Sequence, residues 1–398
     1  MEVMDTHAII NDKRCYCGPQ GIPLRGLLGK MVDVQAWHQG NNRSLYYTHK
    51  GRCGLGLLCK HWKLKAGDEV LVPAYNCGTE IDPFVHYGLN VIFYKVDQQA
   101  NIDFEDLLQR VTHRTKVIYV THYFGLPQDI KTLSDYCRRN KIYLVEDCAL
   151  SLFSNPVQHP IGLLGDAAIF SFPKTLPVPD GGALTVSGDD PLIEPPMESP
   201  PTTVVMKEML PFIKRAVLQI AERIGLYGYL PQRLLQSRGG RKGAPLMTPA
   251  GFPEMPKSYY YDKNIENMTT SAITRYILRC ICPESVVQRR RQNYFQLYEV
   301  VEKSKLFRPL YQNLPEGGCP LCLPVLVENR ERVCFRLNEM GIAAVQWWAG
   351  FHRAFDWAKF PEARYLKEHL LALPIHSQLT DEKIKYMANQ IVKMNAAV

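Results

Sequence analysis

Three places in this 398-residue chain carry side chains suited to covalent or acid–base chemistry. The first is Lys174, in GDAAIFSFPKTLPVPDGGALTV, where a strand-like run (AAIFSF) gives way to a loop ordered by Pro173, Pro177 and Pro179. A loop lysine is ordinarily solvated. This one has backbone-restricting prolines beside it, a hydroxyl three residues earlier (Ser171) and the pair Gly181-Gly182 beginning seven residues later. That setting suits a nucleophilic amine or a proton carrier. The second is Glu146-Asp147, closing the apolar run IYLVED. A carboxylate there is costly to bury alone, so it reads as a metal ligand, a general base, the partner of a cationic ring nitrogen or simply a cap. The third is HKGRCGLGL. Gly51, Arg52 and Cys53 open a helix whose free N–H groups and positive dipole end would hold a phosphate; a plain turn is the alternative.

The elements that must position these residues can be read from hydrophobic periodicity. Between residues 44 and 186, GRCGLGLLCKHWKLKAGD reads as a helix stopping at Gly67, EVLVP as a buried strand and TEIDPFVHYG as a helix closed by Gly88. NVIFYKV is a strand, DFEDLLQRV a helix, TKVIYVTHY a strand, 130–140 a helix, and IYLVED, AAIFSF and GALTVS are strands. Short apolar runs alternating with helical patterns predict an α/β fold with a mostly parallel central sheet between helices. Such sheets place ligands at the carboxyl ends of their strands, where all three candidates fall.

After the proline-rich DDPLIEPPMESPPTT comes a helix with Leu210, Ile213, Val217, Ile220 and Ile224 on one face, then the basic loop QSRGGRKGAP. Membrane contact is possible for a helix with cationic flanks, but the favoured expectation is an arm packed on the same chain or a second subunit. A smaller C-terminal α+β part includes CPLCLPVLV as a strand, ENRERVCFRLNEMG as a helix ending at Gly341, and a last helix capped by Thr380. The division expected is an N-terminal arm (1–43), a large domain (44–265) with a basic amphipathic insertion at about 190–260, and a small domain (266–398).

Composition narrows the function classes. With 46% hydrophobic and 22% charged residues, the chain is an ordinary globular one. No stretch reaches the roughly 18 apolar residues of a membrane span, and the first residues lack a secretory core, which predicts a cytoplasmic protein. The net charge of +8 suits anionic partners, but no zinc-finger, ribonucleoprotein or arginine-rich motif points to nucleic acid. The twelve cysteines are scattered without paired zinc-ribbon spacing, so no metal site is expected.

Five stretches, in order, carry a resemblance: LKAGDEVLVPAYNCGTEIDPFVHYGLNVIFYKVD, HRTKVIYVTHYFGLPQDI, YLVEDCALS, GDAAIFSFPKTLPVPDGGAL and LPIHSQLTDEK. With them the chain resembles the DegT/DnrJ/StrS family of pyridoxal-phosphate (PLP) aminotransferases, densely over about 44–190 and more thinly over 325–392. The resemblance implies the PLP-dependent transferase fold type I and transfer of an amino group from an amino acid, glutamate by expectation, to a keto-sugar that is often nucleotide-linked. It also implies a homodimer. Lys174 matches the lysine that forms the Schiff base with PLP. Asp147 matches the carboxylate beneath the pyridine nitrogen, whose charge keeps the ring an electron acceptor. Ser171, Gly51 and Arg52 match positions that hold the phosphate, with Cys53 beside them.

This chain also departs from the family pattern. Cys77 falls where an aromatic ring often stacks on PLP, leaving Tyr75 or another ring to take that part. Leu150 replaces a histidine or glutamine near the phenolic oxygen, and Asp180 replaces a glutamate before Gly-Gly. The family's asparagine has no clean match, with Asn264 and Asn267 as stand-ins. Relatives that remove a sugar hydroxyl carry histidine in place of the lysine, so Lys174 favours transamination. A PLP-binding scaffold that has lost turnover, or another fold type I reaction, is the alternative.

Overall fold

The computed structural model describes residues 17–18, 20, 42–156, 161–192, 194–226 and 246–396. Most of the expected 1–43 arm and all of the basic QSRGGRKGAP stretch lie outside the described residues.

β1 (Arg43–Thr48) leads into α1 (Gly51–His61), β2 (Glu69–Pro73), α2 (Asp82–His86), β3 (Asn90–Tyr94) and α3 (Phe104–Gln109). Then come β4 (Thr115–Thr121), α4 (Lys131–Asn140), β5 (Tyr143–Asp147), β6 (Ala167–Ser171), the single turn α5 (Phe172–Thr175) and β7 (Gly182–Ser187). These seven strands form one sheet in the order β1-β7-β6-β5-β4-β2-β3. The five from β3 to β6 pair in parallel, whereas β7 runs antiparallel to β6 and β1 antiparallel to β7. β2 is buried along its whole length, as a central strand covered on both faces must be. α1 ends earlier than its sequence suggests: Lys63 turns into the left-handed region (φ 51°), so the chain leaves the helix before Gly67.

Beyond the sheet come α6 (Thr202–Arg223), α7 (Ala272–Arg279), α8 (Pro283–Val301), β8 (Arg308–Pro309), β9 (Leu323–Leu326), α9 (Arg330–Glu339), β10 (Val345–Gln346), α10 (Pro361–His369), β11 (Leu370–Leu373) and α11 (Asp381–Ala396). The four short strands make an antiparallel sheet in the order β10-β11-β9-β8. Its core joins Tyr294 and Leu297 of α8 to Ile384, Met387 and Ile391 of α11. Thr380 caps α11 as its sequence predicts, accepting the Lys383 amide at 3.4 Å. The large core reaches into this part too, because Trp357 and Phe360 pack within it and the Trp357 indole donates to the Ala74 carbonyl at 2.9 Å.

α6 corrects one expectation. The face that packs on the protein is Phe212, Ala216, Leu218 and Ala221, while the apolar stripe singled out in the sequence faces outward.

Candidate active site

The parallel register sets Asp147, at the end of β5, opposite Ile169 of β6, two residues before Ser171 and the α5 turn that carries Lys174. Adjacent side chains on a strand point to opposite faces, and this separates the two acids. Glu146 is fully buried and accepts the amides of Gly162 (2.7 Å), Leu164 (2.7 Å) and Gly165 (2.6 Å), with His122 at 2.9 Å. Burial raises its pKa, but these partners outweigh burial and hold the carboxyl below its ordinary value. Glu146 anchors a loop.

Asp147 is buried on the other face and accepts one amide, that of Ala149, at 2.8 Å. Burial pushes its carboxyl above the ordinary range, opposed by the Lys174 ammonium, the Ala149 amide and the Tyr119 phenol, while Glu80 adds to the rise. Lys174 is exposed and forms no hydrogen bond or ion pair with the described residues. An unpaired amine therefore shares its site with a carboxylate that lacks a full set of partners.

The loop around Lys174 is fixed from behind. Gly181 adopts φ +103°, donates to the His49 carbonyl at 2.7 Å and accepts from the Phe172 amide at 3.1 Å. A Cβ there would meet Thr270 at 2.9 Å, so glycine is required. Asp180 is buried, accepting from Ser271 and Thr274 and lying 3.4 Å from His49. The buried Arg290 donates to the Thr175 carbonyl at 2.8 Å and to Pro320 and Leu321, tying the Lys174 turn to a distant loop.

The start of α1 meets the end of β6. A Cβ on Gly51 would lie 2.8 Å from the Phe170 carbonyl oxygen and 3.7 Å from the Ser171 Cβ, so these two candidate phosphate ligands are neighbours. Arg52 reaches the carbonyls of Tyr259 and Ser258 through its two terminal nitrogens, and its Nε is buried without a partner. Cys53 differs from the other two: its amide donates to Lys50 and its thiol to Ile265, which leaves this end of the helix to Gly51 and Arg52.

The residues expected around a ring are also placed. Cys77 is buried, with its amide and thiol both on Glu80, at 2.9 and 2.8 Å. Burial, then Glu80, pushes the thiol up to about 12, against the Lys174 charge. Tyr75 is fully buried in an aromatic group, its ring 5.4 Å from Tyr123 and 5.1 Å from Trp348. Leu150 sits in the large core, just past the Asp147 turn. Asn264 is exposed, and Asn267 accepts from Lys60 at 3.5 Å.

Sequence reasoning missed Glu80, Arg290 and Lys367. Lys367 is buried, donates to the carbonyls of Gly350 (2.8 Å) and Trp348 (3.3 Å), and is held down to about 8 by burial while Cys77 and Glu80 act to raise it. Its only signal in the sequence was a lysine on the apolar side of a helix. A surface depression of about 590 Å³ lined by Lys95, Asp97, Gln99 and Glu362 contains none of the site residues.

With this geometry in place, comparison with known proteins decides the lineage. The profile of the DegT/DnrJ/EryC1/StrS aminotransferase family matches residues 47–196. The match covers the segment that carries Asp147 and Lys174. GDP-perosamine synthase of Vibrio cholerae is 29% identical over 147 residues, covering 36% of this chain and 40% of that protein. GDP-4-keto-6-deoxy-D-mannose 3-dehydratase of Yersinia pseudotuberculosis is 30% identical over 131 residues, covering 32% and 33%. The chain thus spans less than half the length of these relatives. A Streptococcus pneumoniae structure solved in a PMP form superimposes with a TM-score of 0.65 at 18% identity, covering 96% of this chain and 98% of that one. The shared architecture is the PLP-dependent transferase fold type I, with its mostly parallel seven-stranded sheet.

Proposed function

We propose that this protein is an aminotransferase that holds PLP covalently on Lys174 and passes an amino group from an amino acid, glutamate in our reading, to a keto-sugar. The observation that carries this reading is the pairing of the unbonded Lys174 amine with the buried Asp147 carboxylate at the ends of adjacent strands. PLP, when bound, supplies an aldehyde that condenses with amines and a cationic ring that accepts an electron pair.

The residues present fit that group. The Arg52 Nε is orphaned, the half-buried Ser171 hydroxyl makes no hydrogen bond with the described residues, and Gly51 lies beside both: a cationic and hydrogen-bonding set suited to phosphate. Asp147 favours a protonated ring nitrogen through its negative charge. Lys174 would hold PLP covalently through its Nζ and, as a free amine, would serve as the proton carrier of the site. Cys77, in place of an aromatic ring, would offer the cofactor ring a neutral thiol. Leu150 offers no hydrogen bond to the phenolic oxygen.

The acceptor we assign is a nucleotide-linked keto-sugar, because both relatives above are named for GDP-sugars. Lys174 favours amination over the dehydratase chemistry in the second relative's name. We further assign a large domain (44–265), a small domain (266–398) and a homodimer. The test is spectroscopic. Purified protein should be yellow, borohydride should fix the chromophore on the peptide containing Lys174, and glutamate should bleach it. A keto-sugar panel added to the bleached form should restore the colour with one acceptor class. A colourless protein that takes up no PLP refutes the reading, and a yellow one unmoved by any amino acid favours the scaffold.

A further inference from the structure

We propose that the outward face of α6 is a docking surface for an anionic lipid bilayer, with the helix lying in the plane of the membrane. Met206, Leu210, Ile213, Val217, Ile220 and Ile224 recur at alternating four- and three-residue steps and are each 42–63% exposed. They form a continuous apolar stripe along the helix. The protein already holds the other side of α6: Phe212, Ala216, Leu218 and Ala221 are buried, and Gln219 donates to Gln378 at 2.9 Å. The stripe therefore stays outward while the helix remains docked.

The charges identify the occupant. Every charged side chain exposed on α6 is basic: Lys207, Lys214 and Arg223. Its two acids turn back to the protein, Glu208 onto Lys50 at 2.6 Å and Glu222 onto Lys383 at 2.5 Å. An apolar stripe rimmed only by cations complements anionic headgroups over acyl chains. It suits a second copy of itself less well: in an antiparallel pair centred on the stripe, where like flanks meet, Lys214 would face its twin, and like charges flanking a helical seam oppose such pairing. No helix among the described residues is long and apolar enough to cross a membrane, so the contact is interfacial.

The test is vesicle flotation of the full chain, with light scattering for mass. Wild type should float with phosphatidylglycerol-containing vesicles, stay behind with pure phosphatidylcholine, and bind less as salt rises. Leu210→Glu with Val217→Glu should abolish flotation without changing solution mass or melting temperature, since both side chains are exposed. Lys207→Glu with Lys214→Glu should weaken partitioning by about 25-fold or more, about fivefold for each cation lost. Equal binding to both vesicle types, no binding to either, or unaltered binding by the charge-reversed protein would overturn the proposal. So would a smaller mass for the Leu210/Val217 variant, which would make the stripe a self-interface.

Discussion

Asp147→Asn removes one charge from the site at nearly constant shape, and the structure predicts opposite effects on turnover and on stability. An opposite charge in contact shifts a pKa by about 1–3 units. Losing it lowers the share of protonated ring nitrogen, and with it kcat, by about 10- to 1000-fold. Stability of the cofactor-free protein should move the other way. Asp147 is buried with one amide partner, and burial raises its carboxyl above the unfolded value. For an acid whose folded pKa is raised, the folded state binds the extra proton, so stability falls as pH rises from the ordinary carboxylate range through the raised value. Asparagine keeps an acceptor for the Ala149 amide and removes that loss. The variant should therefore be at least as stable as wild type at neutral pH and should lack the wild-type decline. Single-turnover amination with glutamate measures the first effect, and denaturant titration of apoprotein across pH the second. Undiminished turnover would refute the electron-acceptor role. A loss of several kcal/mol in the apoprotein would show that Asp147 is instead a structural anchor like its neighbour.

That neighbour supplies the contrast. Glu146→Gln should destabilise the fold by about 1–3 kcal/mol, since it replaces a buried carboxylate that accepts three amides through two oxygens with a side chain that has one acceptor oxygen. The folded pKa of Glu146 is lowered, so its stabilisation is present above the unfolded carboxyl range and lost as pH falls through the folded value; acid titration of wild type against variant checks this. Lys174→Ala should abolish borohydride-fixed PLP and turnover while leaving the melting temperature near that of wild type, because the exposed amine bonds to nothing among the described residues. Lys367 is held down to about 8, so over the interval from there toward the ordinary lysine range the unfolded chain carries the extra proton. Wild-type stability should rise with pH across that interval, and Lys367→Met should flatten the rise.

The order of strands and helices in the first half was legible because β2, β4, β5 and β6 are short apolar runs closed by turn residues, and β-sheet burial demands that pattern. Lys174 was legible for a different reason: prolines, a hydroxyl and paired glycines crowd one loop. Arg290 and Lys367 were not, because each acts through carbonyls distant in sequence, and a backbone acceptor leaves no mark in composition. Cys53 shows the limit of motif reasoning. Its position at a helix start marked it as an anion donor, but its amide is spent on Lys50, a fact fixed by the local turn.

Glu146 and Asp147 show how much one step of strand geometry decides. Their side-chain chemistry is nearly identical and they are adjacent, so composition, propensity and burial treat them alike. The alternation of β5 sends one into a ring of amides that lowers its pKa and the other toward Lys174 with its pKa raised. A sequence shows that two acids end a strand, but not which face of the sheet the lysine loop will cross. That is set by the antiparallel turn from β6 into β7, which Gly181 permits at φ +103° and Arg290 holds through Thr175. Which of the two acids lies toward Lys174 is thus selected by the glycine and the arginine behind the loop.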